Sequence, residues 1–229
     1  MNRQQSTLPL KTSHPKGFAD FIGNEALVKV LNGYPDLPQF SYLTGAQYAG
    51  KTHVLGALNH IIQNDNHSVL QLRAADLLGL DWALILPEGL SFLLLDDVDE
   101  LSEDAAAEVT LFNVYNHCRQ HQTRLIVTAK SDRKSDRWQL PDLRSRLTSG
   151  LSLSLETLSG DQALSCLALQ FKQDGIPVDD AVMNYLKTHT NTRYTELYAL
   201  YLVVAETSLK LKRKVTVPLI KQAIQDINE

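Results

Sequence analysis

The chain has little of what would build a disulfide scaffold or a membrane span. Only two cysteines, Cys118 and Cys166, occur in 229 residues, far apart and in no CxxC or metal-ligand spacing. A disulfide framework is therefore excluded, and a reducing cytoplasm is the expected setting. The longest apolar stretch, Trp82 to Leu95, is broken by Pro87, Glu88 and Gly89. That falls short of the roughly 20 apolar residues a spanning helix needs, so no membrane partner is expected. The opening Met-Asn-Arg-Gln-Gln-Ser-Thr has no apolar core of secretion-signal length. Excess charge of one sign is missing too. Lys and Arg number 22 against 26 Asp and Glu, a net charge of −4. A surface built throughout to grip nucleic acid is thereby disfavoured, while a local basic face is not. There is no internal repeat and no low-complexity tract.

What is present is a globular composition, 44% apolar and 21% charged, with length for one large domain or two modest ones. Residues 1–16 are polar, contain Pro9 and Pro15, and read as a flexible arm. From Phe18 onward, short apolar runs alternate with amphipathic stretches, the pattern of an α/β domain. Strands are expected at Phe40–Thr44, Val69–Arg73, Leu90–Leu95, Arg124–Thr128 and Leu151–Leu155, each apolar enough for burial on both faces of a parallel sheet. Helices are expected at Lys51–Asn64, Glu103–His121 and Leu143–Leu147. After Ser159 the pattern becomes wholly helical: Gly160–Lys172, Asp179–Thr188, Arg193–Leu211 and Pro218–Ile227. The expected organisation is an arm (1–16), an α/β domain (17–157) and a small all-helical domain (158–229).

Gly45-Ala46-Gln47-Tyr48-Ala49-Gly50-Lys51-Thr52 matches GxxxxGK[ST] in full, between an expected strand and an expected helix. The two glycines let backbone N–H groups converge on phosphate oxygens, and the helix N-terminus adds its partial positive charge. Lys51 is the residue type that reaches the β- and γ-phosphates, and the Thr52 hydroxyl is placed to ligate Mg²⁺. Phe92-Leu93-Leu94-Leu95-Asp96-Asp97 adds an apolar strand ending in paired carboxylates. Asp96 is expected to bind the magnesium directly or through water, and Asp97 to orient or deprotonate a water. ADP or ATP with Mg²⁺ is thus the expected cofactor.

The order of phosphate loop, acidic strand, third strand and helical lid resembles the AAA+ ATPases, and within them the DnaA family with its Hda-type regulators. The resemblance covers nearly the whole chain. It rests on Phe18-Ala19-Asp20-Phe21, like the family's F-x-x-F box that helps hold adenine, on Leu140-Pro141-Asp142-Leu143-Arg144-Ser145-Arg146-Leu147, and on Arg213-Lys214-Val215-Thr216-Val217-Pro218. It implies an AAA+ P-loop domain with a parallel sheet flanked by helices, plus a C-terminal helical lid. The family's arginine finger matches Arg146, with Arg144 as the neighbouring alternative. A guanidinium there offsets charge developing on a neighbour's γ-phosphate. His53 resembles the family's GK[ST]H pattern and is expected to pack beneath the loop.

The chain departs from that pattern in three places. Lys130 stands where the first sensor is usually acidic, with Thr128 as a substitute. Thr195 stands where the second sensor arginine is expected, with Arg193 two residues earlier, about 200° around a helix. Asp97 is an aspartate where most AAA+ ATPases carry glutamate, although DnaA shares the aspartate. Tight nucleotide binding with feeble intrinsic hydrolysis is the expectation.

Gln5-Ser6-Thr7-Leu8-Pro9-Leu10 resembles the sliding-clamp-binding peptide that Hda-type proteins carry at this place. Leu8 and Leu10 suit an apolar pocket, Pro9 limits the unbound conformations, and Gln5 supplies directed hydrogen bonds. The basic residues at Arg133, Lys134, Arg137, Arg144 and Arg146 are placed to touch phosphates, while Trp138 reads as packing. No helix-turn-helix follows Glu229, so DNA is expected to be reached indirectly, through the clamp. The resemblance implies a nucleotide-bound regulator of replication initiation that binds the clamp and promotes hydrolysis of DnaA-bound ATP, and it leaves a homo-oligomer open. The alternatives are an autonomous ATPase, such as a helicase loader or remodelling subunit, and an adaptor with another partner.

Overall fold

Five short apolar segments form the strands β1 (Phe40–Gly45), β2 (Val69–Arg73), β3 (Phe92–Asp96), β4 (Arg124–Ala129) and β5 (Leu151–Leu155). They pair in parallel throughout, in the order β2-β3-β4-β1-β5. The computed structural model describes residues 17–19, 21–79, 81–130, 132, 136–211 and 214–228. They divide into two compact units, one ending at Glu156 and one beginning at Thr157.

Successive side chains of a strand point to opposite faces, so the sheet supports two cores. On one face Tyr42, Leu93, Leu95, Leu125 and Val127 pack with α4 (Ala105–Gln120) and α5 (Pro141–Ser149) through Leu111, Val114, Leu143 and Leu147. On the other face Leu43, Leu94 and Ile126 meet α1 (Glu25–Asn32) and α2 (Lys51–Asn64) through Leu31, Val54, Leu55 and Leu58. A short α3 (Trp82–Ile85) precedes β3.

The three central strands are buried as expected, but β5 is not buried on both faces. It lies at the sheet edge with Ser152 and Ser154 exposed, because only one of its faces is covered. Strand β3 also begins two residues later than expected, since the Leu90 N–H turns back to the Pro87 carbonyl at 3.2 Å.

The second unit is all helical: α6 (Gly160–Gln173), α7 (Asp180–His189), α8 (Tyr194–Leu211) and α9 (Val217–Asn228). It has its own core, including Leu167, Phe171, Leu186, Tyr201, Val204 and Ile220. Among the described residues no helix is long and apolar enough to cross a membrane. Both cysteines are free, Cys118 buried in the first unit and Cys166 half-buried in the second.

Candidate functional site

Strand β1 ends at Gly45 and α2 begins at Lys51, so residues 46–50 carry the whole reversal from sheet to helix. Gly50 holds φ +103°, a left-handed conformation that side-chain-bearing residues rarely adopt. A Cβ on Gly45 would stand 3.2 Å from Leu155 Cβ and 3.3 Å from both the Leu155 carbonyl oxygen and Lys51 Cγ, tighter than ordinary contact. The buried Ala49 closes the turn by donating its N–H to the Ala46 carbonyl at 3.1 Å. Among the described residues no side chain caps the N-terminus of α2. Its first-turn amides and positive dipole end are therefore turned to the loop, as an anion site requires.

Lys51 is only 6% exposed. Its Nζ donates to the carbonyls of Gly45 at 3.0 Å and Ala46 at 3.1 Å, and lies 3.9 Å from Asp97 Oδ1. Burial pushes its pKa below the usual lysine value, against the opposing pull of Asp97, Asp96 and Asp99. The cation is folded into its own loop by bonds that a phosphate can take over.

The acidic side of the site is built from two strands, β3 and β4, and the first turn of α2. Thr52 Oγ1 donates to Asp96 Oδ2 at 2.5 Å. Thr128, wholly buried on β4 between β1 and β3, donates its hydroxyl to Asp96 Oδ1 and accepts the Asp97 N–H at 3.0 Å. Both oxygens of Asp96 are thus oriented. Asp97 differs. Its backbone is left-handed, with φ 55°, and its buried Oδ1 has no hydrogen-bond partner among the described residues. Burial raises its pKa above the usual carboxylate range and Asp96 adds to this, while Lys51 and Lys130 oppose it.

The chemistry of these groups fits a nucleotide with magnesium. Uncapped amides and a lysine suit phosphate oxygens, a hydroxyl and an oriented carboxylate suit a hard divalent cation, and the orphan Asp97 oxygen is an acceptor still lacking a donor.

The structure brings together Gly45, Ala49, Gly50, Lys51, Thr52, Asp96 and Asp97. His53 is exposed and does not pack beneath the loop. The buried stripe of α2 runs through Lys51, Val54, Leu55 and Leu58, which turns His53 outward. Its ring tilts against Phe21, centroids 5.3 Å apart, and Phe21 meets Phe18 edge-on at 5.6 Å. Thr128 commits its hydroxyl to Asp96, and the backbone N–H of Lys130 donates to Asp99 Oδ1 at 3.0 Å.

Arg146 lies on α5, half-buried, and among the described residues no hydrogen bond or ion pair engages its guanidinium. The more exposed Arg144 stands 3.9 Å from Asp136, beside a surface depression of about 410 Å³ lined by Pro141, Arg144, Ser145 and Thr148. Trp138 is buried core, as its reading as packing implies. Arg193 is exposed at the start of α8 in the helical unit. Gln5, Leu8, Pro9 and Leu10, and the basic residues Arg133, Lys134 and Arg213, lie outside the described residues.

Sequence reasoning missed Glu108, a wholly buried carboxylate on α4 that binds the entry to α5. Its spacing three residues before the core Leu111 was the available signal, since i and i+3 share a helix face. It also missed the Thr128 bridge, whose partner Asp96 lies 32 residues away on the neighbouring strand.

Residues 160–224 match the family described as Hda, lid domain. An uncharacterized protein of Haemophilus influenzae is 25% identical over 230 residues, covering 98% of this chain and 99% of its own. Domain III of the Thermotoga maritima replication initiation protein DnaA superposes with a TM-score of 0.75 at 18% identity, over 96% of this chain and 98% of that one. The replication initiator DnaA bound to AMPPCP and single-stranded DNA gives 0.65 at 19% identity, over 86% of this chain and 68% of that one. The chain therefore has the AAA+ fold of DnaA domain III along its length, and its residues 160–224 are similar to the lid domain of Hda.

Proposed function

We propose that this protein is a nucleotide-bound regulator of chromosome replication initiation, tethered to the polymerase sliding clamp and supplying an arginine in trans to DnaA-bound ATP. The observation that carries the reading is the Hda-like lid at residues 160–224 on a DnaA-type AAA+ fold. The unengaged guanidinium of Arg146 supports it. An arginine that stabilises a neighbour's transition state must not be spent on an internal ion pair.

Gly45, Ala49, Gly50, Lys51 and Thr52 would hold the phosphates of a resident ADP or ATP, and Thr52 with Asp96 would hold Mg²⁺. Bound magnesium supplies charge neutralisation at the phosphates. Lys51 binds phosphate oxygens in place of the two carbonyls it now holds. Thr128 keeps Asp96 oriented. Arg193 in the lid and His53 beside Phe21 are the further nucleotide contacts of this reading. Gln5, Leu8, Pro9 and Leu10 would dock on the clamp and bring the protein to DNA indirectly, which suits a chain of net charge −4.

One reconstitution tests the proposal. Clamp-loaded DNA, ATP-bound DnaA and this protein are mixed and ADP production is followed. Stimulation by the wild type, lost by about a thousandfold in saturating rate with Arg146→Ala, is expected from the usual worth of an arginine finger. A wild type that gives no stimulation overturns the regulatory reading.

The unpartnered Asp97 Oδ1 beside Lys51 favours a second reading, an autonomous ATPase with Asp97 orienting water. It requires turnover by the isolated chain that disappears in both Lys51→Ala and Asp97→Asn.

A further inference from the structure

Glu108 lies in the first turn of α4 and is 0% exposed. Among the described residues it forms no ion pair; its carboxylate is held by backbone amides alone. Oε1 accepts the Glu103 N–H at 3.1 Å and the Gln139 N–H at 3.0 Å, and Oε2 accepts the Leu140 N–H at 2.7 Å. Burying a carboxylate without a cation is costly, so those three bonds are what keep it there.

Two of the three donors open the arginine-bearing helix. Leu140 is the N-cap of α5, Pro141 follows without an N–H, and no N-cap side chain satisfies the helix start. Glu108 therefore serves as an N-terminal anion supplied from another helix, where the α5 dipole favours negative charge. The buried Leu143 and Leu147 fix which face of α5 meets the core. Apolar packing leaves sliding along the helix axis comparatively cheap, whereas directional bonds at the N-terminus do not. The third donor, Glu103, lies in the acidic turn that leaves Asp96 and Asp97, and its own φ is 69°. A single oxygen thus joins that turn to the α5 entry.

We infer that Glu108 is the positioning residue for Arg146: its buried carboxylate sets the axial position of α5 and ties it to the turn after the Asp96–Asp97 pair. The consequence for activity rests on the proposed use of Arg146 in trans; the anchoring itself does not.

The test is Glu108→Gln in the full chain, an isosteric change that puts an amide donor against a backbone N–H. Glu108→Asp, which keeps the charge but withdraws it by a methylene, is the second variant should Gln fold poorly. Hydrogen exchange of the Gln139–Leu143 amides is expected to quicken tenfold or more, with the lid amides unchanged. With clamp-loaded DNA and ATP-bound DnaA, the saturating rate of ADP production is expected to fall at least tenfold while the half-maximal protein concentration stays constant. Partial unfolding would do the reverse, raising that concentration and leaving the saturating rate intact. Unaltered exchange in both variants overturns the anchoring. Faster exchange with an unchanged saturating rate overturns the positioning role. If the wild type itself gives no stimulation, the regulatory reading falls, and the exchange result alone decides whether Glu108 sets the helix.

Discussion

At Asp97 two demands oppose each other, because a buried oxygen without a donor is held beside a second carboxylate. A folded-state pKa raised above the unfolded value means that the native protein binds the proton more tightly. The group's contribution to stability is then present at low pH and lost as pH rises through the folded value. Asp97→Asn removes the charge and tolerates the left-handed backbone. It gives up a 3.9 Å approach to Lys51 and the attraction of Lys130. The variant should melt about 2–4 °C above the wild type at pH 7–8, the shift for roughly 1 kcal/mol in a protein of this size. The gap should close as the pH is lowered through the raised Asp97 titration, where the wild type protonates as well. A gap that widens on acidification, read from melting curves across pH, contradicts this account. Thr128→Val tests the opposite kind of residue. It strands the Asp97 N–H and one Asp96 oxygen, at a cost of about 1–3 kcal/mol, and should weaken nucleotide affinity about tenfold in a fluorescent-nucleotide titration. Gly45, Lys51, Thr52 and Asp96 are readable from sequence because phosphate chemistry constrains types and spacing within a few residues. The role of Thr128 is not, because its partner comes from another strand.

Elements were legible wherever an apolar run or a 3.6-residue period was long enough to outvote its neighbours. That is why β1, β2 and α2 fall where the pattern puts them. Helix α3 has four residues and stands in the apolar Trp82–Leu95 stretch, where periodicity cannot tell a turn of helix from a strand. The exposure of β5 was invisible for a different reason: edge position is a property of strand order, which the linear sequence does not state. Gly150 shows how closely one such link is built. It alone joins α5 to β5, with φ −87° and ψ −178°, which any residue adopts. Yet a Cβ there would lie 2.3 Å from Phe40 Cδ1 and 2.6 Å from the Phe40 carbonyl oxygen. Gly150→Ala must push β1 away from β5 or distort the end of α5. A loss of about 1–3 kcal/mol in urea unfolding is expected from such overpacking. A variant as stable as the wild type would show that the link yields freely.

In the proposed function the whole molecule combines parts with separate physical tasks: a loop to take phosphate, a helix to present Arg146, a lid with its own core, and Gln5, Leu8, Pro9 and Leu10 at the start of the chain. In the proposed function the clamp peptide does no chemistry and acts only by raising the local concentration of Arg146 near DnaA. Tethering and chemistry then fail in different ways. Leu8→Ala with Pro9→Ala should shift the stimulation curve on clamp-loaded DNA to about a hundredfold higher protein concentration, the scale on which a lost second attachment lowers avidity. Its saturating rate should be that of the wild type, because the arginine is intact. Arg146→Ala should instead lose the saturating rate, and no concentration should recover it. Nucleotide affinity should be unchanged in both, since neither change touches Lys51, Thr52 or Asp96, and distant sites act independently. ADP production measured over a concentration series separates the two. A Leu8/Pro9 variant whose curve overlays the wild type removes the clamp from the proposal. One whose saturating rate collapses shows that the peptide does more than tether.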